Sequence, residues 1–362
     1  MTVVNSEIPA TMRAGVYRGN GEVRVESVPT PSIGAGEILV RVEACGVCHT
    51  DLKKVEYDLL TPPRIFGHET AGTVAAVGAG VSKFAPGDRV AAFHHIPCGD
   101  CFYCSRKLYA QCPVYKKVGI TAGFEPAGGG FAQYVRVMDW IVERGVEKIP
   151  DGVSFDEASF MEPLNTCLKA VEQCAPNAGD TVLVMGQGPI GLLFTMILAQ
   201  RGCTVVVTDT IARRLALATE CGAHYAWNAR EVDAAESLRK LTEGRGADIV
   251  IVATAARGLV EEAVRCSRPG ARIVLFAQTS DKERIELSGA SICVGERMLM
   301  GSYSASIDVQ RASADLVFSK KLPVGRLVSH ALPLDKIESA FTLARQPTES
   351  SLKIVVHPQE IS

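Results

Sequence analysis

Twenty consecutive residues, Thr181 to Gln200, carry no charge, which is the length of a membrane span. Gly186, Gly188, Pro189 and Gly191 break the run at its middle, so it reads instead as a buried strand, a tight turn and a core helix. The turn, Gly186-Gln187-Gly188-Pro189-Ile190-Gly191, fits the spacing G-x-G-x-x-G in its informative context, after a strand and at the start of a helix. Glycine permits the tight turn and a close approach of backbone to a pyrophosphate, whose charge meets the unpaired N–H groups of the helix N-terminus. A side chain at Gly188 would stand in that path.

The next apolar strand ends at Asp209, 23 residues after Gly186, where a carboxylate accepts hydrogen bonds from an adenosine ribose. A 2′-phosphate would meet a like charge there, which favours NAD over NADP, while Arg213 and Arg214 follow closely enough to temper that preference. The candidate cofactor residues are therefore Gly186, Gly188, Pro189, Ile190, Gly191, Asp209 and Arg213. A glycine-rich turn and a solvated aspartate without a ligand form the competing reading.

Around this motif the chain changes rhythm. From about Val16 to Val142 short alternating runs such as Ile38–Val42, Gly72–Val77 and Phe131–Val137 are separated by Gly/Pro turns, a β-rich, barrel-like pattern. From about Ser159 strands (Thr181–Met185, Thr204–Asp209, Asp248–Thr254, Arg272–Ala277, Leu299–Tyr303) alternate with helical patterns (Ile211–Cys221, Leu259–Cys266), the mark of a doubly wound parallel sheet in an α/β fold. After Ser304 a helix, a Pro-bounded connection at Leu332-Pro333-Leu334, another helix and a strand at Leu352–Val356 are expected. That tail is too short to fold alone and is expected to complete the first domain. The expected domains are 1–158 with 305–362, and 159–304.

A chain of 362 residues accommodates about two domains. A formal net charge of -2, with both signs interspersed, gives no footprint for nucleic acid or an anionic membrane. No apolar signal region follows Met1, so a cytoplasmic location is the expectation. Twelve cysteines in such a chain point to metal before disulfides, and six of them lie between Cys45 and Cys112.

Cys98, Cys101, Cys104 and Cys112 follow C-x2-C-x2-C-x7-C within the expected lobe 94–115. Four thiolates can close a tetrahedral site with no open position, so this zinc would be structural; free thiols, an iron–sulfur cluster or redox disulfides are the alternatives. A second set mixes ligand types: Cys48, His68 and Glu69 in Gly67-His68-Glu69, and Glu162 in Met161-Glu162-Pro163-Leu164. Such a set leaves room for water or an alcohol, the pattern of a catalytic zinc. His94 and His95 precede the cysteines; if on a strand they face opposite sides, so only one could line a substrate site.

Gly67-His68-Glu69, the run Gly46-Val47-Cys48-His49-Thr50-Asp51, the four cysteines and the dinucleotide fingerprint, in this order, resemble the zinc-dependent medium-chain alcohol and polyol dehydrogenases over nearly the whole chain. The resemblance implies a GroES-like β-rich catalytic domain beside a Rossmann domain, two zinc ions per chain, NAD, and a homodimer or homotetramer. It selects Cys48 over Cys45 as the ligand, gives Thr50 the hydroxyl that relays the substrate proton, and puts His49 near the cofactor diphosphate. Glu162 falls where the sorbitol and threonine dehydrogenase branches carry glutamate, as an exchangeable ligand or its neighbour, and points to a polyol or other multifunctional secondary alcohol, or its ketone. Two departures are Ser304, where sorbitol dehydrogenases carry arginine, and Lys53, where alcohol dehydrogenases carry a relay histidine. A metal-free NADPH-dependent quinone or carbonyl reductase and a non-catalytic NAD-binding redox sensor are the competing functions.

Overall fold

The computed structural model describes residues 8–115, 128–277 and 284–360. It divides into two units, 1–165 with 305–362, and 166–304, so the first break comes a few residues later than the change of sequence rhythm.

In the second unit the runs Thr181–Met185, Thr204–Asp209 and Ala247–Val252 are strands whose Val, Leu and Ile residues are buried, because a parallel sheet is covered on both faces. Six parallel strands lie in the order Tyr225–Asn228, Thr204–Asp209, Thr181–Met185, Ala247–Val252, Ser267–Leu275 and Met298–Gly301. The chain order reverses beside Thr181–Met185, the position at which doubly wound sheets bind ligands. The strand Tyr225–Asn228 was absent from the sequence expectation. It is four residues long at a sheet edge, with no fully buried residue, and leaves no apolar run to detect.

The uncharged stretch becomes the strand Thr181–Met185 and the helix Pro189–Gln200. Among the described residues no helix is long and apolar enough to cross a membrane.

Among its described residues the first unit holds two sheets. A three-stranded antiparallel sheet runs Glu22–Pro29, Thr11–Gly19, Arg64–Ile65. A larger one runs Val328–Pro333, Lys353–His357, Ile38–Gly46, Glu69–Val77, Arg89–Ala92, Val146–Lys148, with Tyr134–Val137 also paired to Ile38–Gly46. The tail strand Lys353–His357 is thus interior to this sheet, parallel to Val328–Pro333 and antiparallel to Ile38–Gly46.

At the end of that strand His357 contacts Asp156 at 2.7 Å and Glu360 at 3.1 Å. The hydrogen bond to Asp156 leads a rise of the imidazole pKa from 6.5 to about 9, against the opposing effect of burial. A folded-state pKa above the unfolded value stabilises fully below the unfolded value, and the benefit disappears as pH rises through the folded one. Urea midpoints of wild type and His357→Asn are therefore expected to differ most near pH 6 and to converge by about pH 10. A gap that persists unchanged at high pH would contradict this account.

Candidate active site

The central strand Ile38–Gly46 delivers the chain to Cys48, which caps the helix His49–Glu56. The Cys48 sulfur accepts the Thr50 N–H at 3.5 Å, and the Asp51 carboxylate accepts the Cys48 N–H at 3.3 Å, a capping box with sulfur in place of a hydroxyl. On the neighbouring strand Glu69 pairs in register with Gly46, so two adjacent strand ends bring His68 and Glu69 beside Cys48. One donor atom from each of Cys48, His68 and Glu69 lies within 4.8 Å of the others, with His68 and Glu69 buried. Thiol, imidazole and carboxylate together fit a zinc ion, which accepts both sulfur and harder donors.

Each buried donor has a partner of its own. Asp51, fully buried, lies 3.1 Å from His68 Nδ1, which leaves Nε2 for a metal. Burial disfavours the His68 cation, but the negative charges of Asp51 and Cys48 outweigh it and hold the pKa well above its ordinary value. Glu69 forms an ion pair with Lys353. Burial and the nearby Glu162 push the Glu69 carboxyl up while Lys353 draws it down, for a net rise.

The structure gathers three of the four expected ligands. Glu162, in the first turn of the helix Met161–Cys174, stands outside the grouped donors, and its Oε1 lies 2.6 Å from His95 Nε2. Burial raises the Glu162 carboxyl, but the hydrogen bond and charge of His95 leave it below the ordinary value. The strand premise for His94 and His95 does not hold: the strand Arg89–Ala92 ends before them, and its alternation with it. Both are buried, their ring centroids are 3.9 Å apart, and His94 lies edge-on to His68 at 5.6 Å. Thr50 is partly buried in the first helical turn and His49 is exposed.

Cys98, Cys101, Cys104 and Cys112 form a second group of donors within 4.8 Å of one another. Sulfur separations are 3.5 Å for Cys98–Cys112 and for Cys101–Cys104, and 3.8 Å for Cys98–Cys104. Burial opposes ionisation of Cys112, but the N–H groups of Cys98, Val114 and Tyr115 prevail and bring its pKa to about 6. Four converging sulfurs suit a closed metal site.

In the second unit Gly186 has φ +92°, a left-handed conformation that favours glycine, and a Cβ on Gly191 would overlap the Gly186 carbonyl. At Gly188, the N-cap of the helix Pro189–Gln200, no side chain caps the helix, and an added Cβ would meet nothing within 4 Å. Uncapped N–H groups facing open space fit a phosphate. Pro189 and Ile190 form the first helical turn and are partly buried; Arg213 is exposed. Asp209 accepts N–H groups from Gln187 (2.6 Å), Thr210 (2.7 Å) and Ile211 (2.9 Å), which pins the loop to the strand end.

Three functional partners escaped sequence reasoning: His95 as the holder of Glu162, Lys353 as the partner of Glu69, and Gln187 as a brace. The buried Gln187 side chain donates to the Gly186 carbonyl at 3.0 Å, and the Thr195 hydroxyl lies 2.9 Å from its Oε1.

Residues 34–151 match the family model for the alcohol dehydrogenase GroES-like domain, and residues 189–319 match that for zinc-binding dehydrogenases. The chain is 30% identical to a sorbitol dehydrogenase of Bacillus subtilis over 97% of its length and 98% of the relative. A zinc-binding dehydrogenase from Sinorhizobium meliloti bound to NADP aligns with a TM-score of 0.88 at 29% identity, covering 97% of this chain and all of the other. An alcohol dehydrogenase from Escherichia coli CFT073 complexed with NADH aligns at 0.85 and 27%, covering 96% and all of the other.

Replacing His95 by Phe leaves the buried Glu162 carboxylate without its hydrogen bond to that ring. The variant is expected to lose about 1–3 kcal/mol of unfolding free energy, measured from urea midpoints, because an unsatisfied buried acceptor carries its full desolvation cost. A cost below about 0.5 kcal/mol would mean the pair contributes little, as exposed pairs do.

Proposed function

The chain belongs to the zinc-dependent medium-chain alcohol and polyol dehydrogenases, and we propose that it transfers a hydride between NAD and a secondary alcohol bearing further hydroxyl or polar groups. The observation that carries this reading is the buried convergence of Cys48, His68 and Glu69. When bound, zinc supplies Lewis acidity toward the alcohol oxygen and NAD supplies the hydride acceptor. Cys48, His68 and Glu69 hold the zinc, Asp51 fixes the His68 ring, and Glu162 acts from outside the ligand set through its contact with His95. Thr50 is the hydroxyl that passes the substrate proton on. The second zinc belongs to Cys98, Cys101, Cys104 and Cys112, where it fixes the lobe.

The glycine loop receives the pyrophosphate on its N–H groups. Three backbone donors occupy Asp209, so roughly one of its four lone-pair sites remains for a ribose hydroxyl. Its charge also repels a 2′-phosphate, which supports NAD over NADP.

A polyol substrate is supported by the polar side chains near the metal donors, His94 edge-on to His68 and Glu162 held by His95. Self-association is supported by Val294, Met298 and Tyr303, exposed apolar residues on and near the strand Met298–Gly301 at the sheet edge. A reducing, cytoplasmic setting suits sites that need thiolates.

Metal analysis is expected to give about two zinc ions per chain and about one in Cys48→Ala, together with loss of alcohol oxidation by that variant; a metal-free reductase would have at most the lobe zinc. Polyols, amino alcohols and simple secondary alcohols with NAD+, followed at the reduced-nicotinamide absorbance, test the substrate class, and a sensor would turn over none of them. In Asp209→Ala the NAD/NADP preference, as a ratio of kcat/KM, is expected to fall by roughly tenfold or more, about 1.4 kcal/mol. An unchanged ratio would remove Asp209 from cofactor selection.

A further inference from the structure

Lys353 opens the tail strand and is 5% exposed, the one buried lysine or arginine among the described residues. An ammonium is rarely buried unless it is paired. Its Nζ is paired with Glu69 Oε2 and donates to the Val47 carbonyl at 3.1 Å. Val47 directly precedes Cys48, so one cation joins the carboxylate of one metal ligand to the backbone that carries another.

The neighbouring strand is shaped around this contact. Gly46 is paired with Glu69 on one side and with Val355 on the other. A Cβ at Gly46 would overlap the Glu69 carboxylate and come within 2.7 Å of Lys353 Cε. The strand therefore leaves out a side chain where the ion pair sits. Phe160 lies alongside, its ring centroid 6.0 Å from Nζ.

We infer that Lys353 is a positioning residue for the zinc ligand Glu69: its ammonium offsets the carboxylate charge and fixes the carboxylate against the Cys48 turn, so that the three donors converge before a metal arrives. A carboxylate has two oxygens and about four lone-pair sites, enough to keep an ammonium and serve a metal together. Hydrogen-bonding partners of ligating carboxylates set how firmly a metal is held, and their loss costs about 10–100-fold in affinity. The inference rests on Cys48, His68 and Glu69 being the zinc site. It adds that the tail strand, some 280 residues away in sequence, completes that site.

The test is zinc affinity by competition with a fluorescent chelator, together with the ligand-field absorption of the cobalt(II)-substituted protein. Wild type and Cys48→Ser come first, to identify the equivalent that belongs to this site. Lys353→Met is expected to bind that equivalent about 10–100-fold more weakly and to shift the cobalt bands, with the lobe metal retained. Lys353→Arg is expected to restore most of the affinity. NADH affinity, read by nucleotide fluorescence, should remain within about twofold of wild type, which a general loss of structure would not allow. A folded Lys353→Met with wild-type cobalt bands and zinc affinity within about twofold overturns the inference and leaves the zinc site standing. If Lys353→Met does not fold, Lys353→Gln, which keeps an N–H donor without the charge, is held to the same criterion. Loss of no metal in Cys48→Ser overturns the zinc site and this inference together.

Discussion

Burying several carboxylates in one small region is the constraint around which the β-rich unit is organised. Asp51, Glu69 and Glu162 are each below a tenth exposed, and an ion taken out of water costs several kcal/mol unless it is paired and hydrogen-bonded. Each acid has been given its own partner: His68 for Asp51, Lys353 for Glu69, His95 for Glu162. These partners come from three separate segments of chain, so the strand register that unites them is fixed by charge as well as by apolar packing. A one-residue slip of Glu69–Val77 against Ile38–Gly46 would turn Glu69 to the other face and separate it from Lys353.

The two donor groups differ in how far they are satisfied without a metal. Around Cys48, His68 and Glu69 the protein supplies counter-charges of its own and a large apolar cluster encloses them. The cysteine lobe has little of either. Its buried cluster consists of Cys104, Cys112 and Tyr115, with Phe102, Tyr103 and Leu108 exposed around it. So small a core gives the lobe little apolar support of its own, and four thiols at 3.5–3.8 Å spacings would gain cohesion from an ion that joined them. An ion bound at the lobe would thus add cohesion, whereas one bound by Cys48, His68 and Glu69 would add Lewis acidity.

What could be read from the residues was whatever depends on short spacing. The cysteine lobe, the glycine loop and the Gly67-His68-Glu69 run are local patterns whose geometry follows from a few consecutive dihedral angles. The parallel strands were equally plain, because burial on both faces leaves unbroken Val and Ile runs. The partners were not legible in that way. Lys353 and His95 are single residues in ordinary contexts, and only the sheet register and the irregular segment after Ala92 bring them to Glu69 and Glu162. For His94 and His95 the period-2 rule misled because the strand had already ended. Ligand types announce themselves in sequence; the groups that orient ligands come from any distance along the chain.

The cofactor loop shows the same division at smaller scale. Its glycines follow from sterics: Gly186 from its positive φ, Gly191 from the carbonyl it would otherwise strike. The position between the first two glycines looked unconstrained in the motif, yet Gln187 is fully buried and spans from the Gly186 carbonyl to Thr195 on the helix. With Asp209 accepting its N–H from the other side, this residue is held at backbone and side chain alike. A loop fixed in this way has little conformational freedom left to lose when an anion arrives, so more of the interaction energy appears as affinity. Preorganisation in both units has one physical origin: buried polar groups that would be costly alone are used to lock the backbone that presents the donors.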